Sequence, residues 1–162
     1  MNIYENIKQS AKEIEASFAE IKDGENKSML RISRYIALLR GEMNKSNPSH
    51  VDMQDLISKI GVEMPAFAMQ VANASTESEV GEFERKKKFR EVFLKHRMSG
   101  MTISEAQERA RKEAEEYKMA EIKAYDKKLR LKFLWESIQI MITTIQTRLG
   151  MVKTEMMMHN QK

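Results

Sequence analysis

Arg85-Lys86-Lys87-Lys88, Arg90, Lys95 and Arg97 place seven cations within thirteen residues, with Phe83, Phe89 and Phe93 interleaved. Arg109, Arg111 and Lys112 follow, and after Tyr117 come Lys118, Lys123, Lys127, Lys128, Arg130 and Lys132. Such a pattern can hold a phosphate backbone, and an aromatic among cations offers a face on which a base can stack. Four consecutive cations also repel one another, and an anionic partner relieves that cost. The plainer reading is a set of solvated helix faces, with Glu82, Glu84 and Glu91 pairing locally. The phenylalanines read as core, which leaves Tyr117 as the stacking candidate. The candidate nucleic-acid-binding set is therefore Arg85, Lys86, Lys87, Lys88, Arg90, Arg109, Arg111, Lys112 and Tyr117. Cations hold phosphates and carry no sequence information, so single-stranded DNA is expected to bind with little base preference.

Other chemistry finds no footing in the chain. His50, His96 and His159 have no partner at metal-ligand spacing, and no HExxH, EF-hand, Gly-rich phosphate loop or nucleophile elbow occurs. Glu113, Glu115 and Glu116 read as a solvated carboxylate face. The expectation is a non-enzymatic protein with no catalytic residue, metal or cofactor. With no Cys, a disulfide framework is excluded and a reducing cytoplasm is the expected location. No apolar run reaches the roughly 20 residues a membrane span needs.

The elements that position these residues read as helices throughout. Charged residues make up 32% of the chain, against six Gly and two Pro, a composition of long helices. The net charge of +4 is unevenly spread: residues 82–135 hold sixteen cations against ten acids, and residues 1–81 hold nine against twelve. Ile3, Ile7, Ile14, Phe18 and Ile21 mark a first helix that stops at Asp23-Gly24. Met29, Ile32, Ile36, Leu39 and Met43 mark a second over 27–43, and the two form a hairpin. Lys45–Ser49 is a linker, because Asn47 precedes Pro48. A short helix from Val51 to Ile60 should stop at Gly61. Pro65 then opens a helix to Met98, with Met69, Ala72, Thr76, Val80, Phe83 and Phe93 roughly on one face and a possible break near 75–81.

Ser99-Gly100 closes that helix, and Thr102 with Glu105 forms a capping box for the next. Residues 103–149 read as one helix, roughly 70 Å long at about 1.5 Å per residue. Ile103, Ala110, Tyr117, Ala124, Leu131, Ile138, Ile145 and Val152 recur every seven residues, joined by Trp135, Ile142, Leu149 and Met156. Ser137, Gln139, Thr143, Thr144, Gln146 and Thr147 flank this face without charge. The face is therefore assigned to an oligomer interface of Leu131, Trp135, Ile138, Ile142, Ile145 and Leu149; closure by the N-terminal hairpin of the same chain is the alternative. The fold class is all-α: a long helical hairpin with an N-terminal helical appendage and a heptad-patterned C-terminal helix, assembled as an oligomeric bundle. Its parts are 1–50, an N-terminal hairpin and linker; 51–156, the hairpin core with the oligomerisation helix; and 157–162, a frayed tail.

A basic helix, a Gly turn, then "TISEAQERARKEAEEY", "YDKKLRLKFLWESI" and "TTIQTRLGMVKTEM" resemble the small all-helical phage recombination mediators. Those proteins load a phage recombinase onto single-stranded DNA. The resemblance spans roughly residues 65–156. It implies a homo-oligomeric helical ring that binds single-stranded DNA and helps exchange a single-strand-binding protein for the recombinase. In that family the DNA-contacting cations precede an aromatic pair. Arg109, Arg111 and Lys112 before Tyr117 match best, although Lys118 stands where the second aromatic would be. The alternative function is a helical protein–protein adaptor, scaffold or host-takeover inhibitor whose basic stretch meets an acidic protein surface.

Overall fold

The computed structural model describes residues 3–20 and 27–159, with side chains for 5–17 and 27–154. Every regular element among the described residues is a helix, so the chain is all-α: α1 (Ile3–Glu20), α2 (Lys27–Met43), α3 (His50–Met98), α4 (Ile103–Glu113) and α5 (Glu115–His159). The expected stop at Asp23-Gly24, and Ile21, lie outside the described residues, as do the side chains of Ile3, Phe18 and Met156. Among the described residues no helix is long and apolar enough to cross a membrane. The chain forms two compact units, Met1–Met69 with Lys132–Lys162, and Gln70–Leu131. Both α3 and α5 contribute to each.

The first unit has a core of large side chains. Its α1 and α2 pack together, with Arg40 of α2 bonded to Glu15 of α1 at 2.9 Å. Met29, Ile32, Ile36, Leu39 and Met43 are all buried, as their spacing predicts. Ile7 and Ile14 are buried on α1, joined by Ala11. On α3 the buried line is Met53, Ile57, Ile60, Met64 and Phe67, in steps of four and three. The linker before α3 serves as its cap: Ser49 Oγ accepts from the Asp52 N–H at 3.2 Å. The Ser49 N–H in turn donates to the buried Glu42 carboxylate at 2.8 Å. That bond and Lys45 hold the Glu42 carboxyl below its usual range, the lysine having the larger effect.

Two expected helix ends do not occur on α3. The helix passes through Gly61 and carries Pro65 in its interior. A proline there forfeits one backbone bond, yet the buried residues on either side, Ile60 and Met64 before it and Phe67 after it, tie both segments into one core.

The face of α5 assigned to an oligomer interface is instead occupied largely by the chain itself. Leu131, Ile138 and Ile145 are buried within a single chain, together with Leu134 and Met141. The buried line thus runs 131, 134, 138, 141, 145, whereas Trp135, Ile142 and Leu149 are only half-buried beside it. The Trp135 ring lies 5.8 Å from that of Phe67, tilted by 58°. A cavity of about 430 Å³ has Ile7, Ser10, Ile14 and Ser17 of α1 on one wall and Leu134, Ser137, Met141 and Thr144 of α5 among the residues opposite. The uncharged flank has a local explanation: Thr143, Thr144 and Thr147 donate to carbonyls four residues back, at 2.9, 2.8 and 2.9 Å.

The second unit is a helical hairpin. Lys127 bonds Glu77 at 3.0 Å, Arg85 bonds Glu121 at 2.5 Å and His96 bonds Glu113 at 2.9 Å. As α3 is followed forward the partners run backward, so the arms are antiparallel. The turn uses Gly100 at φ +88°, a conformation glycine adopts freely. The capping box is formed: Thr102 Oγ1 accepts from the Glu105 N–H at 3.3 Å, and Glu105 accepts from the Thr102 N–H at 2.9 Å. The continuous helix expected from 103 is interrupted at Ala114, whose φ of −93° and ψ of 5° leave the helical region.

The face of α3 that packs in this unit is not the apolar one its spacing suggests. Met69, Ala72, Thr76, Val80 and Phe83 are exposed and Phe93 is half-buried. The packed side carries Ala74 and Ser78, both buried, and then Gly81. A Cβ at Gly81 would stand 3.4 Å from Glu121 Cα, at van der Waals contact with α5 backbone. Nearer the turn, where His96 meets Glu113, the buried residues of the other arm are Ala106, Ala110 and Ala114, on α4 and at its end. Small side chains let helix backbones approach, and counting large apolar residues does not detect them.

Two substitutions test this packing. Ile138→Asp buries an unpaired carboxylate at a fully enclosed position and should cost several kcal/mol. The expected result is a large drop in the thermal midpoint at every protein concentration; a midpoint near the parent's would mean that Ile138 is not core. Thr102→Ala removes the cap acceptor of α4 and should cost about 1 kcal/mol, read as a small shift in denaturant midpoint with an unchanged slope.

Candidate nucleic-acid interface

The four consecutive cations do not share a face. Successive residues on a helix turn by about 100°, so Arg85, Lys86, Lys87 and Lys88 fan around α3. Arg85 and Lys88 are half-buried, while Lys86, Lys87 and Arg90 are exposed. Lys86 is tied to Glu82 at 2.5 Å, one turn earlier on the same helix. On α4, Arg109, Arg111 and Lys112 are all exposed, with Lys112 bonded to Glu108 at 3.1 Å. Tyr117 is 38% exposed.

Tertiary contact gathers part of this set. Arg85 of α3, Arg111 and Lys112 of α4, and Lys118 of α5 line a single cavity of about 250 Å³, with Phe89, Ala114 and Glu115. Four cations and one carboxylate line it; Glu121 offsets Arg85 and Glu108 offsets Lys112, so its positive charge rests mainly on Arg111 and Lys118. Arg111 and Lys118 have no carboxylate within ion-pair distance among the described residues. Arg85 gives its Nε to Glu121, which orients the guanidinium without using its two terminal nitrogens. Phe89 stacks parallel to Phe93, ring centroids 6.3 Å apart, and forms an apolar wall. Lys86, Lys87, Lys88, Arg90, Arg109 and Tyr117 are not among the lining residues.

Lys118 and Phe89 belong to the cavity without being among the candidates the sequence singles out. The signal for Lys118 is its position one turn beyond Ala114. There the Lys118 N–H donates to the Ala114 carbonyl at 3.0 Å, so the first turn of α5 carries the side chain beside α4's last cations. Across the far end of the hairpin, the His96 bond holds the Glu113 carboxyl below its usual range, with lesser help from the charges of Lys95 and Lys88.

Neither a known protein family, a curated protein nor a solved structure matches this chain.

The His96–Glu113 pair gives the hairpin an acid limit. A carboxyl whose folded value is lowered stabilises the fold when ionised. That contribution is complete above the ordinary value of 4.5 and is lost as the pH falls below it. The thermal midpoint of Glu113→Gln should therefore lie below the parent's at neutral pH and converge on it in acid. A gap that stays constant through that range would show that the pair does not stabilise the hairpin.

Proposed function

We propose that this chain is a non-enzymatic protein that binds single-stranded nucleic acid, holding phosphates on the second unit's cations, and that it acts as a recombination or replication mediator. The observation that supports this most is the shared cavity: cations from three helices, Arg85, Arg111, Lys112 and Lys118, converge on it, and Arg111 and Lys118 have no ion-pair partner among the described residues. Solvated helix faces have no need to converge; Glu121 and Glu108 offset Arg85 and Lys112, and the repulsion between Arg111 and Lys118 is left for an anionic ligand to offset. Lys87 and Arg90, exposed on the outer side of α3, extend the field that draws a polyanion in. The resemblance to recombination mediators adds the expected partners, a recombinase and a single-strand-binding protein. In this reading copies of the chain associate on one strand and gain avidity. With Leu131, Ile138 and Ile145 enclosed, that association falls to other surface, such as the exposed Phe133 and Ile140.

Salt tests the reading directly. Each phosphate contact adds roughly 0.7 to the log–log salt slope for a single strand. The parent should be retained on single-stranded DNA at low salt and released as salt rises. Arg111→Glu combined with Lys118→Glu should abolish retention while leaving helix content unchanged, and Lys87→Glu alone should weaken it modestly. Absence of retention by the parent at low salt would overturn the proposal and put the protein–protein adaptor in its place.

A further inference from the structure

A second cavity, of about 530 Å³, shares Arg85 and Lys118 with the cationic one. Its other lining residues have a different chemistry: Ser78, Glu82, Glu121, Ile122 and Tyr125. Two carboxylates repel phosphate, so this cavity is not a second seat for the backbone. Carboxylates do accept hydrogen bonds from the amino groups of bases, as they do from the N4 amino group of cytosine. Glu82 gives one oxygen to Lys86 and Glu121 gives one to Arg85, which leaves the second oxygen of each for another donor. Tyr125 is 52% exposed and Ile122 48%, so an aromatic face and an aliphatic edge stand open in the same cavity. Stacking on such a ring is indifferent to base identity, whereas the carboxylates are not.

Resting on the nucleic-acid reading above, we infer that this cavity is a base-binding subsite. A base stacks on Tyr125 and donates its amino group to Glu82 or Glu121, while its phosphate lies in the adjoining cavity on Arg85 and Lys118. Cytosine, adenine and guanine carry such an amino group. Thymine and uracil present a carbonyl there, which a carboxylate repels, and their one donor, the ring N3–H, is flanked by two such carbonyls. The strand is therefore read for amino-bearing bases, against the indifference that a purely cationic surface implies. The stacking residue is Tyr125, eight residues beyond Tyr117, which lines neither cavity.

The test compares three oligonucleotides of equal length at one low salt concentration, by fluorescence anisotropy: oligo(dC), oligo(dT) and an abasic strand. The parent should bind oligo(dC) about tenfold more tightly than oligo(dT), the scale of one good base contact, and the abasic strand most weakly. Tyr125→Leu keeps the apolar volume at an exposed position, so folding is not at stake. It should weaken oligo(dC) about tenfold and leave the abasic strand unchanged. Glu82→Gln, whose amide both donates and accepts, should narrow the gap between oligo(dC) and oligo(dT). Equal affinity for all three strands, or an oligo(dC) affinity indifferent to Tyr125→Leu, overturns the subsite and leaves the nucleic-acid reading standing. Failure to bind any of the three overturns both.

Discussion

The second unit depends on how closely α5 comes to α3 at Gly81. With no side chain there, and with Ala74 and Ser78 on the same side of α3, α5 backbone packs directly on that face. The geometry of the candidate site follows from that proximity. It brings Glu121 within 2.5 Å of Arg85, which fixes the guanidinium. It also sets Lys118 beside Arg85, so that one cavity receives cations from α3, α4 and α5. The Cβ of an alanine at position 81 would still fit at van der Waals distance from Glu121, whereas a side chain extending beyond Cβ would press on α5 and part the arms.

The two units are held together by different means. All of the largest fully enclosed side chains, among them Phe67, Ile32, Ile36, Leu134 and Ile138, belong to the first. Burying such a side chain contributes about 1.5–3 kcal/mol. In the second unit most buried apolar residues are alanines, with Val92 and Leu131 the larger exceptions. Alanines remove little area from water, so the hairpin leans on backbone proximity, its capped turn and ion pairs along its length. An assembly of that kind tolerates the convergence of charge that a binding cavity needs.

Large apolar residues made the first unit legible. The five predicted on α2 are its buried apolar residues, and Thr102 with Glu105 announced the cap that the structure forms. Glycine and proline misled on α3, because Gly61 and Pro65 sit inside a helix whose tertiary contacts override local preference. The packed face beyond Met69 was hidden for the opposite reason: alanine, serine and glycine carry no apolar period to count. On α5 the sevenfold period was visible, but the residues completing the buried line are Leu134 and Met141, one position earlier than Trp135 and Ile142. The break at Ala114 has no Gly or Pro to signal it. Which candidate cations share a cavity was not legible, since consecutive cations look like one patch in a sequence and point around a full turn on a helix.

The first unit is built from the two ends of the described chain, whereas the second is one uninterrupted stretch, Gln70–Leu131. A ribosome delivers these pieces in order. The hairpin's partners lie within about fifty residues of one another and are complete before the last strip of core, Leu134 to Ile145, has been made. Until that strip emerges, Phe67 lacks the Trp135 ring that it meets in the finished fold. The nascent chain therefore carries its basic hairpin formed while its greasiest surface is still open, the interval in which chaperones find their substrates.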